Sequence, residues 1–369
     1  MHVRGRSAPG AAAYWGVRRW RGKMSSMRIF KRRRSVVDPI AGFWTWWEET
    51  GAQLVADAIA RKEPGSISGM LAEHVNAIHG GLDWELGPGL HAEHTLVVTA
   101  AGDPATRAVA RRWLRSAPPS DHLWEYADLR RPSPEVTIQF EGMPPVASDD
   151  ALVTIEPDER AAAVHVGVHH PVFAQVSEDV QRRITFLLLD LSLGEEMTET
   201  WIGAVETLVE RPAGTVPISE LLPTVAAFAA AFTTEDGNPT WRLLEGFVDG
   251  QRLIATTEVP LRSIRLPHLD THVGVTIGYP AGREDGLPDA EMLDQLRNLE
   301  DHLTSRLGDS GRLLAHETIA GARTLHYYVD GSTPAPAQLE AATSGWPHGE
   351  VTLTTARDPG WQNLSHLGS

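Results

Sequence analysis

The sequence predicts an α+β protein of two domains, and three observations carry that reading. The C-terminal third runs strand, helix, strand, strand, helix, strand, the order of a ferredoxin-like sandwich. Upstream, residues 82–129 and 152–208 each run strand, strand, helix, strand. A polar stretch holding Gly and Pro, Thr233 to Thr240, separates two apolar regions. The expected organisation is a basic, disordered tail over 1–37, then an α+β domain over 38–235 built from repeated β-β-α-β units with flanking helices. A ferredoxin-like β-α-β-β-α-β domain over 236–369 completes the chain.

Taken in order, Asp38-Pro39 is an N-cap with proline at the first helical position. Ile40, Phe43, Trp44, Trp47, Leu54, Val55 and Ile59 then trace one face of a helix to about Arg61. Three of the four aromatics of FWTWW lie on that stripe, so they are expected in the core. Trp46 lies off it and is a candidate contact residue. A second helix runs from Ser68 to His79, stopped by Gly80-Gly81. Strands are expected over Leu82–Leu86, Thr95–Ala100 and Trp124–Leu129, with a helix over Pro104–Leu114 capped by Asp103. Val136–Phe140 reads as a further short strand.

The pattern then recurs. Leu152–Ile155 and Ala163–Val168 form a hairpin, and Val180–Gly194 a helix with Val180, Ile184, Leu187, Leu188 and Leu191 on one face and Gly194 as its stop. Glu195 and Glu196 fall in the turn after it, Trp201–Leu208 is the closing strand, and Val216–Phe232 is another helix. In the last third, strands are expected at His272–Tyr279, Leu313–Ile319, Thr324–Val329 and Glu350–Thr355. Met292, Leu296, Leu299, Leu303 and Leu307 mark one helix, and Ala337–Thr343 a shorter one.

Composition excludes several chemistries. The chain has 369 residues and no cysteine, so disulfides, thiolate metal sites and cysteine nucleophiles are absent, as suits a cytoplasmic location. Its net charge of −15 is uneven: residues 1–34 hold 11 Lys/Arg and no acid, leaving −26 on the remainder. That surface repels phosphate backbones, so the folded body is not expected to bind nucleic acid. No apolar run is long enough to span a membrane. Met24 and Met27 offer alternative starts, and the tail is expected to be dispensable.

Catalytic signatures are missing too. There is no Walker loop and no G-x-S-x-G elbow, and no histidine spacing makes a metal site: His165 and His169 would stand about 13 Å apart on one strand face. Neither a cofactor nor a catalytic residue is expected. Glu195 and Glu196 form a carboxylate pair at a helix C-terminus, where the dipole disfavours anions. Their expected role is structural, with Glu195 capping nearby amides and Trp201 covering the helix end. Tyr327 and Tyr328 occupy opposite faces of one strand, one expected in the core and the other exposed for recognition on the sheet face opposite the helices.

FWTWW, the LDLSLGE run ending near Glu195, GLPDAEML and LHYYVD together resemble bacterial proteins carrying the domain-of-unknown-function family 695. The C-terminal part of that family is similar to the regulator of ribonuclease E activity B. The resemblance is clearest over about residues 237–358. It implies a ferredoxin-like module that binds a protein partner, and it supplies no catalytic residues. The expected function is therefore a non-catalytic, protein-binding or regulatory module of unspecified oligomeric state. The alternative is an enzyme whose pocket lies between the two domains, with Glu195 and a histidine as acid and base.

Overall fold

The computed structural model describes residues 38–63, 65–133, 137–138 and 144–368. The expected tail over 1–37 lies outside them, as do Val136, Gln139 and Phe140 of the short strand read at 136–140. Mixed helix and sheet are arranged around three main hydrophobic cores.

The first unit holds α1 (Pro39–Trp46), a π-helical turn (Trp47–Gly51), α2 (Ala52–Ala60), α3 (Gly65–Ile78), β1 (Asp83–Pro88), β2 (His94–Thr99), α4 (Pro104–Arg115) and β3 (Trp124–Ala127). Asp38 accepts from the Ile40 amide, the N-cap bond that the Asp-Pro pair foretells. β2 pairs antiparallel with β1 and parallel with β3, so α4 is the crossover. Phe43, Trp44, Trp47, Trp113 and Trp124 fill the core, with Trp44 and Trp113 stacked at 4.7 Å.

The second unit holds β4 (Thr137–Ile138), β5 (Val146–Ala147), β6 (Leu152–Asp158), β7 (Ala163–His169), α5 (Glu178–Trp201), β8 (Ile202–Leu208), β9 (Val216–Pro217) and α6 (Leu221–Ala230). Its main sheet runs β8-β7-β6-β9, and β8 lies parallel to β7. Both units thus run hairpin, helix, then a strand parallel to the hairpin's second strand. Two expectations need correction. Gly194 ends a helical segment as expected, but a second segment follows it at once and runs through Trp201 where a turn and a strand were read, and α6 begins at Leu221 rather than Val216.

The third unit holds β10 (Thr240–Val248), β11 (Gln251–Val259), β12 (Thr271–Gly278), α7 (Ala290–Ser305), β13 (Gly311–Ile319), β14 (Ala322–Val329), α8 (Ala335–Ala342) and β15 (Val351–Arg357). Its sheet is antiparallel, in the order β10-β11-β13-β14-β12-β15. The sequence reading passes over the β10–β11 hairpin, although Asp249-Gly250 at its tip has two positive φ angles, 50° and 78°. That is the dipeptide a two-residue hairpin turn demands.

Val273, Val275, Ile277, Leu325 and Tyr327 pack under α7 and α8. The opposite face is not open. Trp361, Leu364 and Leu367 of the C-terminal segment lie over Ala255, Leu314, Ala315 and Tyr328, so Tyr328 is 0% exposed, as Tyr327 is. Its hydroxyl donates to Asp358 at 2.5 Å, and the Trp361 indole N–H to the Leu269 carbonyl at 3.0 Å. Strand alternation put the two tyrosines on opposite faces correctly; neither face is solvent there, because a segment distant in sequence covers the second.

Arginines of α4 tie the units together. Arg107 bonds Glu199 and Ser263, Arg112 bonds Asp270 at 3.2 Å and Asp330 at 2.6 Å, and Arg115 meets His268 at 3.0 Å. The seam between α4 and the third unit is therefore largely ionic.

A candidate acidic pocket around Glu195

The break in α5 creates the most chemically distinctive place in the molecule. Gly194 has φ 77° and ψ 161°, a conformation essentially confined to glycine. A Cβ there would come within 2.8 Å of the Pro132 ring and 3.1 Å of the Arg130 carbonyl. Residues 130–133 thread against the break: the Glu195 amide donates to the Arg130 carbonyl at 2.9 Å, and the Ser133 amide to the Leu191 carbonyl at 2.7 Å. These bonds satisfy main-chain groups that the interrupted helix leaves unpaired.

Glu195 is thereby turned inward. It is 3% exposed and accepts the Thr99 hydroxyl at 2.8 and 3.0 Å and the Arg130 amide at 3.1 Å. This corrects the expected dipole argument. Glu195 follows the first helical segment but also opens the second, whose N-terminal dipole favours its charge. Glu196 points out and is exposed.

Around Glu195 stand Glu85, Asp190 and Glu199, faced by Arg130 and Arg107. Arg130 pairs with Glu85 and reaches Asp190 only at 3.8 Å, while Arg107 engages Glu199. Asp190 is the least compensated. Burial, opposed by Arg130 and reinforced by the charges of Glu195, Glu199 and Glu85, pushes its carboxyl up to about 6. Burial also raises Glu85 and Glu199. Arg130, Asp190, Glu195 and Glu199 border a pocket of about 290 Å³ between the first and second units, lined also by Gly102, Phe186, Thr198 and Gly203. Phe186 stands at its rim, 51% exposed.

The raised Asp190 has a consequence for stability. Its folded-state value exceeds its unfolded one of 3.8, so the native state favours the protonated form. The resulting stabilisation is full below about pH 4 and is lost as pH rises through about 6. It is on the order of 2–3 kcal/mol. Asp190→Asn should remove that slope: urea midpoints at pH 4.5 and 7.5 should converge relative to the unaltered protein, and a variant more stable at pH 7.5 is the expected result.

Of the residues singled out from sequence, only Glu195 lines this pocket. Trp46 is half-buried in the first unit, stacked on His74 at 3.7 Å, with its ring over Gly51. Trp201 packs against Phe228 and Phe232 at 5.9 and 5.5 Å. Tyr327 and Tyr328 lie inside the third unit. No histidine lines the pocket, and the pocket does not face the third unit, so the expected acid–base pair of Glu195 with a histidine has no geometric basis. His165 accepts from the Ala204 amide, His94 stands against Trp124, and His272 contacts His326 at 3.1 Å. Among the described residues, no group of three or more His, Asp or Glu is placed to hold a metal ion. No described helix is long and apolar enough to cross a membrane.

Asp190 escaped the sequence reading, although an aspartate inside LLLDLSLG, four residues after Phe186 on the same helical face, was a visible signal. Glu85, Arg107, Arg130 and Glu199 carried none, because their neighbourhood is tertiary.

With the pocket in view, the likeness of the chain to known proteins can be placed on the fold. Residues 240–366 match a family of unknown function, DUF695. The DUF695 match opens on the first residue of β10 and ends in the segment over Tyr328, so it takes in the hairpin that the sequence reading omitted. The acidic pocket, lined by residues between Ala101 and Val205, lies wholly outside it. No curated protein and no solved structure matches the chain.

Proposed function

We propose that the protein is a non-catalytic, protein-binding regulatory module of the bacterial cytoplasm, and that its pocket receives a cationic side chain from a partner. The observation that carries this reading is Asp190, a half-buried carboxylate whose nearest guanidinium is already engaged by Glu85. A guanidinium or ammonium entering beside Asp190 and Glu199 would relieve that imbalance, with the Phe186 ring offering its face to the cation. The DUF695 region is proposed to be a ferredoxin-like module over 236–369, similar to the regulator of ribonuclease E activity B. The order β13-β14-β12-β15, with α7 and α8 on one face, supports this. Residues 38–235 are proposed as the partner-recognising domain.

One observation favours the enzymatic alternative: a carboxyl raised to about 6 is poised for proton transfer near neutral pH. The two readings separate in one titration. Acetyl-arginine amide and its neutral isostere acetyl-citrulline amide are added while the amide resonances of Gly102 and Gly203 are followed by NMR. The arginine compound alone should shift them, more at pH 7 than at pH 5 because Asp190 ionises through about 6, and Asp190→Asn should abolish the response. Equal shifts from both compounds, or none from either, would sink the cation-binding reading.

A further inference from the structure

The third unit carries an unguarded sheet edge. β10 pairs on one side with β11 and forms the end of the six-stranded sheet. Trp241, Leu243 and Phe247 alternate along one face of it, 44%, 67% and 72% exposed. By register this is the face that α7 covers further along, since Thr256, opposite Leu243, pairs with His316, which bonds Glu300 of α7. The hairpin thus extends beyond the helices with its apolar face bare. Natural edge strands are blunted by lysine, proline, a bulge or shortness. β10 is nine residues long, without Lys or Pro, and in unbroken register with β11.

We propose that β10 pairs antiparallel with β10 of a second copy of this chain, about a twofold axis at Leu244. The main-chain geometry selects that axis. Val248 and Gln251 close the two-residue turn as a hydrogen-bonded pair, so Val248 faces β11. By alternation Arg242, Leu244 and Gly246 also turn their amides and carbonyls to β11, and Trp241, Leu243, Glu245 and Phe247 turn theirs to the open edge. The open stretch begins at Trp241, and the span 241–247 is centred on Leu244. In that register Trp241 exchanges hydrogen bonds with Phe247 of the second copy, and Leu243 with its Glu245. Trp241 then stands directly opposite Phe247 of the second copy, twice, as cross-strand aromatic pairs.

Charge supports the same choice. Centring on Arg242 or on Glu245 would set like charges face to face, whereas the Leu244 axis places Glu245 opposite Leu243 and Arg242 opposite glycine. The Arg242 side chain is also held on the other sheet face, donating to the carbonyls of Arg160 and Glu159. The two sheets would join into one, with each apolar stripe continued by its mate. This surface is independent of the acidic pocket, so the two proposals stand or fall separately.

The juxtaposition of Leu243 with Glu245 of the second copy gives a signed test. The full chain is followed by sedimentation equilibrium as it stands, and as Leu243→Glu and Leu243→Lys. The unaltered protein should be dimeric. Leu243→Glu opposes two carboxylates at each of two symmetric places and should raise the dimer dissociation constant at least tenfold. Leu243→Lys meets Glu245 and should remain dimeric. Circular dichroism of the exposed-site variants confirms that each is folded. A monomeric unaltered protein, a dimer indifferent to Leu243→Glu, or equal dissociation by both variants would overturn the proposal.

Discussion

Gly194→Ala is expected to cost about 3–4 kcal/mol of folding stability. Holding a non-glycine residue near φ 77° and ψ 161° costs about 1–3 kcal/mol by itself. The added methyl must also push against Pro132 at 2.8 Å and the Arg130 carbonyl at 3.1 Å, a backbone atom and a ring that cannot rotate away. Any relief would move residues 130–133 and so break the Glu195 amide bond to Arg130. Urea denaturation should show a lower midpoint at unchanged slope, because the same surface is exposed on unfolding. The cation response proposed for Asp190 should weaken in the same variant, since Glu195 and Arg130 would shift together.

Arg112→Ala should be comparably damaging, on the order of 3 kcal/mol or more, for a different reason. Asp270 and Asp330 are each 4% exposed, and Arg112 bonds both. Removing the guanidinium leaves the two buried carboxylates only the more distant Arg115 and Arg357, each at 3.9 Å, and deleting one partner of a buried pair typically costs about 3–5 kcal/mol. Asp270 retains the Gly331 amide and Asp330 the Ser332 amide and hydroxyl, which holds the effect near the lower end. Because this ion pair joins α4 to the third unit, the variant should also separate thermal unfolding into two transitions by calorimetry. A single transition with an unchanged midpoint would show that the ionic seam does not couple the units.

Much of the architecture was legible because its signals are local. The 3.6-residue spacing of Met292, Leu296, Leu299 and Leu303 marks α7, the Asp38-Pro39 and Asp103-Pro104 caps mark two helix starts, and the alternation over 272–279 marks β12. The FWTWW stripe predicted which aromatics are buried, and Phe43, Trp44 and Trp47 are. The β10–β11 hairpin was legible in Asp249-Gly250 and was passed over, because the boundary loop before it drew the polar reading past Thr240. Glu195 was noticed for its place after a glycine, yet its setting was inverted, since Gly194 can equally end a helix or let one break and resume.

What the amino-acid order determined by itself is most of the helices and strands, many of the faces they bury, and the absence of cysteine chemistry. Each depends on residues within a few positions of one another. Tertiary structure alone decided that Glu195 is buried, that Tyr328 is covered by Trp361 and Leu367, and that Asp190 sits among Glu85, Glu195 and Glu199. The physical reason is the same in all three cases. In each, a group 30 or more positions away takes part, as Thr99 does at Glu195, Trp361 at Tyr328 and Glu85 at Asp190, and no periodicity encodes which distant segment will close over a given face.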